Sequence, residues 1–334
     1  MHDVAAAARV TAAVVSRVLN GDETLRVRQE TRERVLAAAG TLDYTPNSNA
    51  RSLRTASSGA ICLVVNDVGN PLHEPTLRGA QSSAEQSQRV VLLADANEFR
   101  RHPDRLRALV DSRRVDGLLM HLSGARPDRS MVSVAASRLP TVVINSRSRG
   151  PAGSVALDDT AAACLATEHL IELGHERIAT IAGVAGSDRS WRRRQGVERA
   201  LNVRGLRLAP DWLVEGGFDE PGGRAAGKTL LGRDKRPSAV VVANVMAGVG
   251  VLAACRELRV SVPDELSVIA LLDTWFCDHT DPPLTVVDMP MRELGASAFE
   301  LLLAMIEGKP RQSIVLKRPP PVLIVRSSTS APQA

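Results

Sequence analysis

Near its N-terminus the chain reads TAAVVSRVLNG (11–21), a small, mostly apolar segment that carries Ser16, Arg17 and Asn20 toward its far end. A helix buried in a core has little use for an arginine there, whereas a helix that lies on a charged surface does. Ser16 could bond a phosphate, and Arg17 could pair bidentately with guanine or neutralise a phosphate. The same pattern fits a three-helix bundle with a solvated arginine. Charge does not decide between the two, because residues 1–58 hold eight arginines against six acidic residues.

Three helices are predicted to position these side chains. Apolar residues at intervals of three and four predict helices over 3–8, 11–20 and 29–42, with Thr11 as the N-cap of the second. Two short helices joined by a tight turn form a helix-turn-helix, whose second helix can enter the major groove. Its first residues, Ala12 and Ala13, could touch thymine methyl groups but cannot read bases by hydrogen bonds. The inner face of the third helix is predicted to hold Val35, Leu36, Ala39 and Leu42, with Glu30 paired to Arg34 on its surface.

After a linker at 57–59 the pattern changes to short apolar runs that alternate with helix-length segments. Strands are predicted at 60–65, 90–94, 117–122, 141–145, 177–183, 239–243 and 266–272. Their continuous hydrophobicity predicts burial on both faces, as in a parallel sheet. Seven or more β-α units favour two doubly wound lobes, with a ligand crevice at the carboxyl ends of the strands.

Composition and motifs exclude several classes of protein. The chain is 44% apolar with a net charge of +5, which suits a polyanionic partner. Its four cysteines are far apart, so we expect buried free thiols and no metal site or disulfide framework. Without a signal peptide or a long apolar run, we expect a soluble, cytoplasmic protein. No Walker, H-E-x-x-H, G-x-S-x-G or Rossmann motif is found, and His175 is expected to be structural, so we expect neither an enzyme nor a cofactor.

The N-terminal region resembles the DNA-binding headpiece of the lactose-repressor (LacI/GalR) family. The motifs that carry the resemblance are DVA, VSRVLNG, TRERVLAAA and YTPNSNARSLR. It continues through LATEHLIELGHERIATIAG (165–183), VPDELSVIALLD (262–273), PPLTVV (282–287) and LGASAFELLL (294–303), in the family's order and spacing. The resemblance therefore covers nearly the whole chain.

This resemblance implies an all-α helix-turn-helix headpiece and a hinge helix. It also implies an α/β core like the periplasmic sugar-binding proteins, with two doubly wound parallel-sheet lobes. The headpiece is expected at 1–45, the hinge and linker at 46–58, and the effector-binding core at 59–334. Within the core, the N-lobe is expected at about 59–157 and 288–318, and the C-lobe at about 158–287 and 319–330. Family members are repressors that bind near-palindromic operator DNA as dimers or tetramers, under the control of a small-molecule effector.

The resemblance also assigns DNA-contacting positions. Thr11 and Ser16 match phosphate contacts, Arg17 matches a position at the DNA surface, and Ala12 and Ala13 match the specificity pair. The remaining DNA-binding candidates are Asn20, Asn47, Ala50, Arg51 and Leu53. Leu53 matches the hinge leucine that wedges into the minor groove, which unstacks one base step and bends the duplex.

Three headpiece positions depart from the family pattern. Arg9 stands where the family has a turn glycine and is strained if its φ is positive, and Asp43 replaces a second glycine more mildly. Val14 replaces a threonine and loses a hydroxyl contact. These departures favour binding that relies on Arg17, the backbone and DNA deformation rather than on rich direct readout.

Effector-binding positions are assigned in the same way. Arg193, in SWRRRQG, matches the arginine that grips effector oxygens, whereas Arg192 and Arg194 are expected on a solvated helix face. The other candidates are Leu72, His73, Asn145, Phe218, Asn244 and Leu272.

Two carboxylates of the family's effector site are missing, because Val245 and Leu272 stand where aspartates are common. Met289 likewise takes a position that is often polar. Carboxylates suit sugars because each oxygen accepts hydroxyl hydrogen bonds. The effector is therefore expected to be anionic or partly apolar rather than a simple neutral sugar, unless there is no effector. The alternatives to an effector-controlled regulator are a two-lobed solute-binding protein and a regulator that has lost its effector response.

Overall fold

The computed structural model describes residues 1–19, 22, 24–44, 57–148 and 150–333. The chain divides into two compact units, Met1–Ser58 and Gly59–Ala334. The first unit contains α1 (His2–Ala8), α2 (Ala12–Leu19) and α3 (Gln29–Thr41). These helices agree with the predicted ones to within a residue at each end. The Thr11 hydroxyl accepts a hydrogen bond from the Val14 amide at 3.4 Å, as expected of an N-cap.

The core of this unit is small and aliphatic. Its buried members are Val4, Ala5, Ala8, Val15, Val18, Val35 and Ala39. The prediction was wrong for Leu36 and Leu42, which are 51% and 46% exposed. Val35 and Ala39 lie one helical turn apart and form the buried stripe, whereas Leu36 points about 100° away from it. Leu42 lies beyond the last residue of α3.

Two headpiece residues have the left-handed backbone that suits glycine. Arg9 has φ 53° and ψ 49°, and its amide closes the end of α1 on the carbonyls of Ala5 and Ala6. Asp43 has φ 45°. The expected strain at Arg9 is therefore present, whereas aspartate tolerates this region better.

The second unit contains two six-stranded sheets. The first is formed by β1 (Ala60–Val65), β2 (Val90–Asp95), β3 (Gly117–His121), β4 (Thr141–Ile144), β5 (Gly153–Leu157) and, from the chain's end, β11 (Ser313–Leu316). Its order is β11-β5-β4-β3-β1-β2, and all its strand pairs are parallel.

The second sheet is formed by β6 (Ile178–Ala182), β7 (Leu213–Glu215), β8 (Ala239–Val242), β9 (Ser267–Leu271), β10 (Thr285–Asp288) and β12 (Val322–Ile324). Its order is β12-β10-β9-β8-β6-β7, with only β12 antiparallel to its neighbour. All seven predicted strands are present, and the two parallel-dominated sheets confirm the doubly wound fold.

Strand β2 contradicts the prediction of burial on both faces. It is the edge strand of the first sheet and pairs only with β1. Val90, Leu92 and Leu93 are 58%, 47% and 46% exposed. Their apolar character therefore does not come from burial within this chain.

Nine helices flank the two sheets in the described part of this unit. They are α4 (Glu74–Gln86), α5 (Ala96–Arg101), α6 (Pro103–Asp111), α7 (Arg126–Ala136), α8 (Asp159–Glu172), α9 (Asp188–Val203), α10 (Glu220–Leu231), α11 (Val245–Leu258) and α12 (Met291–Ile306). Glycines let paired helices approach closely in a chain with only 2% aromatic residues. At Gly196 of α9, for example, an added Cβ would overlap the Thr160 carbonyl of α8.

The cysteines and one histidine complete the structural picture. All four cysteines are free thiols, but Cys164 is only half-buried, so the expected burial holds for Cys62, Cys255 and Cys277. His175 contacts the Ser238 hydroxyl through Nδ1 (2.9 Å) and the Ser330 carbonyl through Nε2 (2.8 Å), which confirms a structural role. Among the described residues, no helix is long and apolar enough to cross a membrane.

Candidate DNA-binding and effector sites

Helix α2 presents several of the predicted DNA-contacting side chains at the surface of the headpiece. Thr11, Ala13 and Arg17 are exposed, and Ala12 and Ser16 are half-buried. Val15 and Val18 occupy the opposite, buried face. The helix is thus amphipathic, with its small and basic residues available to a partner.

Arg17 is held in one orientation by the segment that follows its helix. Its Nε donates to Asp22 Oδ2 at 2.7 Å, and its Nη2 donates to the Thr24 hydroxyl at 3.0 Å. Asp22 Oδ1 accepts from the Thr24 amide at 2.9 Å, which closes the cluster. The hydrogen bond from Arg17, followed by that from the Thr24 hydroxyl, lowers the pKa of Asp22 to about 2. The Arg17 side chain is still 44% exposed.

The other DNA-binding candidates, Asn20, Asn47, Ala50, Arg51 and Leu53, lie outside the described residues. Their assignment stays a prediction from the resemblance.

In the second unit, an arginine pair on α9 surrounds the carboxylate of Asp159 at the start of α8. Asp159 has no exposed surface. One of its oxygens accepts from Arg193 Nε at 2.7 Å and the other from Arg192 Nη2. Arg193 Nη1 also donates to the carbonyl of Ala243, just after β8. The predicted effector-gripping arginine is therefore held by two partners.

The expectation of a solvated Arg192 was wrong. Arg192 is 5% exposed and pairs with Asp159 and with Asp188, one turn earlier on the same helix. Asp159 lies far away in sequence, so the run of arginines alone could not reveal this partner. Arg194 matches the prediction, because it is exposed and pairs with Glu198.

Phe218 lies in a slot between β6 and α9. A Cβ on Gly183, the residue after β6, would collide with the Phe218 ring and with Ser190 Oγ, so only glycine leaves room for the ring. The guanidinium carbon of Arg189 lies 4.0 Å from the ring centroid, and that of Arg193 lies 5.9 Å from it. Both arginines are in range of a cation–π contact.

Asn244 positions Phe218 rather than presenting a free amide. Its Nδ2 donates to the Phe218 carbonyl at 2.9 Å, and its Oδ1 caps α11 by accepting from the Ala247 amide at 2.9 Å. Both polar groups of the side chain are therefore occupied.

Two histidines of the first lobe continue the cluster. Arg189 reaches His121 Nε2 at 3.4 Å and the Leu122 carbonyl at 3.2 Å, at the end of β3. His121 Nδ1 lies 3.3 Å from His73 Nδ1, and the two rings pack edge to face. Burial is the main cause that lowers the pKa of His73 to about 4 and that of His121 well below its usual value. The nearby Arg189 charge lowers both further, so both rings are neutral near pH 7.

The remaining candidates lie at strand ends and are buried. Asn145 follows β4 and Leu272 follows β9, and both are left-handed, with φ 53° and 70°. Each amide donates across to the next strand, Asn145 to Val155 and Leu272 to Val287. Leu72 lies in the 3-10 turn Pro71–His73, whose N-cap is Asn70. Among the described contacts, none joins Leu72, Asn145 or Leu272 to the arginine and histidine cluster.

Further arginines bridge the two lobes beside this cluster. Arg147, which follows β4, contacts Asp188 of α9 through Nε at 3.0 Å and Nη2 at 2.9 Å. Arg129 of α7 donates to the Gly186 carbonyl at 2.9 Å. A groove of about 1040 Å³ opens here, and its walls include Leu122, Arg147, Gly183, Ser190 and Trp191.

Sequence reasoning missed Arg189, His121 and Asp159. Arg189 precedes Arg193 by four residues, a spacing that places both on one face of a helix. That spacing was the available signal for Arg189. His121 ends a strand that was predicted correctly, so the rule that ligands bind at strand ends could have found it.

Comparisons with known proteins agree with this architecture. Residues 1–47 match the family model "Bacterial regulatory proteins, lacI family", and residues 167–329 match a periplasmic binding protein-like domain. The chain is 30% identical to the HTH-type transcriptional repressor PurR of Vibrio campbellii over 97% of each chain. It is 31% identical to the ribose operon repressor of Haemophilus influenzae over 92% of each.

Among solved structures, a lac repressor dimer bound to operator and the anti-inducer ONPF matches with a TM-score of 0.80. It is 25% identical and covers 98% of each chain. Both units of this chain therefore have counterparts in one family, in the same order and over the full length. The chain belongs to the lacI family of bacterial regulatory proteins.

Proposed function

We propose that this protein is a transcriptional repressor that binds a near-palindromic operator as a homodimer and responds to a small molecule in the crevice between its lobes. The observation that carries the proposal is the lacI-type three-helix unit at residues 1–47, whose second helix exposes Thr11, Ala13 and Arg17. The two relatives named above are repressors, and the similar lac repressor dimer has been solved in complex with its operator.

On the operator, Thr11 and Ser16 contact phosphates, while Ala12 and Ala13 meet the base edges. The Asp22–Thr24 cluster supports a specific role for Arg17, because it reduces the conformational freedom that the arginine would lose on binding. Asn20, Asn47, Ala50, Arg51 and Leu53 are proposed as further contacts from the resemblance, with Leu53 wedged at the operator centre.

The test is selection of binding sites from random double-stranded DNA with the full-length protein. The expected result is an enriched palindrome whose affinity falls steeply with salt, as phosphate contacts require. Arg17→Ala should weaken the selected site at least tenfold, or about 1.4 kcal/mol, and Leu53→Ala should weaken it by losing the central wedge. Arg199→Ala, at an exposed position of α9, is the matched control and should leave the affinity for the selected site unchanged. No enriched site, or an affinity that Arg17→Ala leaves unchanged, would refute this function.

Exposed apolar residues support the homodimer. Edge strands with apolar side chains invite pairing with another chain unless something covers them. Val90, Leu92 and Leu93 of β2 and the 74% exposed Trp275 are uncovered within this chain, and a second copy is the partner that a twofold operator requires. Leu92→Lys should convert the dimer to a monomer in sedimentation velocity and weaken operator binding. Leu258→Lys, at an exposed leucine on α11, serves as control.

The effector acts on the equilibrium between arrangements of the two lobes. The effector site is proposed to include Leu72, His73, Asn145, Arg193, Phe218, Asn244 and Leu272. Arg147 and Arg129 bridge the lobes beside the crevice, so a ligand that favours or opposes these contacts would shift the lobe equilibrium. Operator affinity would change by no more than the ligand's differential affinity for the two states.

A further inference from the structure

Unpaired hydrogen-bond donors concentrate at one place in the molecule. Seven buried side-chain nitrogen and oxygen atoms lack a partner among the described residues. Four belong to α9, namely Arg189 Nε, Ser190 Oγ, Arg192 Nε and Arg193 Nη2, and a fifth is His73 Nε2. A buried polar group without a hydrogen-bond partner is unfavourable. Such a cluster, where α9 meets His121 and His73, indicates a ligand that supplies the missing partners.

The hydrogen bonds of the two histidines fix where their protons are. Arginine has no acceptor, so His121 Nε2 must accept from Arg189. A neutral His121 then carries its proton on Nδ1 and donates it to His73 Nδ1. The proton of His73 consequently resides on Nε2, the buried nitrogen without a partner. His73 Nε2 thus adds a third donor to the two arginines.

The amide and carboxylate acceptors beside these donors already have partners. Both oxygens of Asp159 accept from Arg192 and Arg193. The Asn244 oxygen caps α11. Sugar hydroxyls donate as well as accept, so a neutral sugar would find few unoccupied acceptors here for its own donors.

The charge balance points the same way. Arg189 makes no ion pair within the described part of the chain, although Phe218 covers its guanidinium. Burial, followed by the charge of Arg193, lowers the pKa of Arg189 to about 9, so it still carries its charge near pH 7. A buried cation without a carboxylate partner is unfavourable, and an anionic ligand would compensate it.

We propose that the crevice binds an oxyanion, a carboxylate or phosphate group of the effector, through Arg189 and Arg193 together with the Nε2–H of His73. The inference rests on the proposed function only in identifying this crevice as the effector site. Because His73 lies in the first lobe and both arginines lie on α9 of the second, the anion bridges the lobes.

The test uses the full-length protein and two simple oxyanions as probes. The thermal unfolding midpoint is followed while inorganic phosphate or acetate replaces chloride at constant ionic strength. The midpoint should rise with at least one of the two anions relative to chloride, since a ligand that binds only the folded state stabilises it. A rise with phosphate alone indicates that the ligand carries a phosphate group, and a rise with acetate alone indicates a carboxylate. A rise with both anions indicates a site for oxyanions in general.

Arg189→Met is the decisive variant, because removing an arginine without an ion-pair partner leaves no carboxylate unpaired. The apparent Kd for the responding anion should weaken at least tenfold. His73→Phe keeps an aromatic ring, removes the donor and should also weaken binding. Arg199→Met, the same change at an exposed position of α9, should keep the wild-type Kd within about twofold, far below the tenfold that corresponds to 1.4 kcal/mol.

Three results would overturn the proposal. They are a midpoint that follows neither anion beyond chloride, an anion response that Arg189→Met keeps in full, and micromolar binding of D-ribose by calorimetry. Site selection on the same preparation separates the two proposals. If a DNA site is enriched but neither anion raises the midpoint, only the oxyanion proposal is refuted. If an anion raises the midpoint but no DNA site is enriched, only the proposed repressor function is refuted.

Discussion

Replacing Asp159 with asparagine should destabilise the two-lobed unit strongly. Asp159 is fully buried and is the shared partner of Arg192 and Arg193. Asparagine keeps the shape but has one acceptor oxygen in place of two, and its amide would face a guanidinium donor. Arg192 would keep Asp188 as a counter-charge, whereas Arg193 would keep only the Ala243 carbonyl.

The magnitude follows from those contacts. Each hydrogen bond to a charged group contributes about 1.5–3 kcal/mol, and removing one partner of a buried ion pair costs about 3–5 kcal/mol. We therefore expect the free energy of unfolding to fall by about 3–5 kcal/mol, and the midpoint of thermal unfolding by about 8–15 °C for a unit of this size. Asp211→Asn is the matched control, because its carboxylate is 85% exposed and such pairs contribute at most about 1 kcal/mol.

Tryptophan fluorescence during urea unfolding suits this measurement. The three tryptophans, Trp191, Trp212 and Trp275, all belong to the second unit, so the signal does not include the headpiece. A loss below about 1 kcal/mol for Asp159→Asn, comparable to an exposed pair, would show that the buried carboxylate does not hold the two arginines.

Three further outcomes are expected. Gly183→Ala should displace the Phe218 ring and cost about 1–3 kcal/mol by overpacking, measured by urea unfolding, and an unchanged stability would contradict the close contact. Arg9→Asn should relieve left-handed strain and stabilise the headpiece by about 0.5–1 kcal/mol, seen as slower amide exchange in residues 1–44 of the full chain; faster exchange would argue against strain. Because burial lowers the pKa of His73 from 6.5 to about 4, unfolding takes up a proton there, and stability should fall as pH drops from 6.5 to 5. His73→Phe should flatten that slope by up to about 1.4 kcal/mol per pH unit, and an identical slope would refute a neutral His73.

Most of the fold could be predicted from local sequence patterns. The seven strands that were predicted are continuous apolar runs, and their periodicity with the intervening helices indicates parallel sheets. The strands that escaped prediction are β5, β7, β10, β11 and β12, which have three to five residues each. Length alone does not account for this, because β4 and β8 have four residues each and were predicted.

Position within a sheet could not be predicted, and β2 illustrates why. Its first five residues, VVLLA, are as apolar as AICLVV of β1, yet β1 is buried and β2 is largely exposed. The difference comes from strand order, which places β2 at the edge. Strand order depends on contacts between distant segments, which no local pattern reports.

The same distinction between local patterns and distant contacts applies to the candidate site. Family resemblance proposed Arg193 and Phe218 as site residues, but their partners in the structure are distant in sequence. Arg192 was assigned to solvent because its partner Asp159 lies on another helix. Arg189 contacts Phe218 and His121, which lie in two other segments of the chain, so the local sequence does not reveal its surroundings.

Two features make the crevice less negative. The aspartates common in the family are absent at Val245 and Leu272, and Arg189 has no ion-pair partner among the described residues. A carboxylate at position 272 or 245 would add negative charge to the effector site, which opposes the binding of an anion. Leu272 keeps a left-handed backbone, which costs a residue with a Cβ about 1–2 kcal/mol. Its amide still donates to the Val287 carbonyl at 2.8 Å, so the register of β9 with β10 holds that conformation whatever the side chain is. The backbone of the crevice therefore follows from the fold, whereas its preference for an oxyanion follows from a few side chains placed on that backbone.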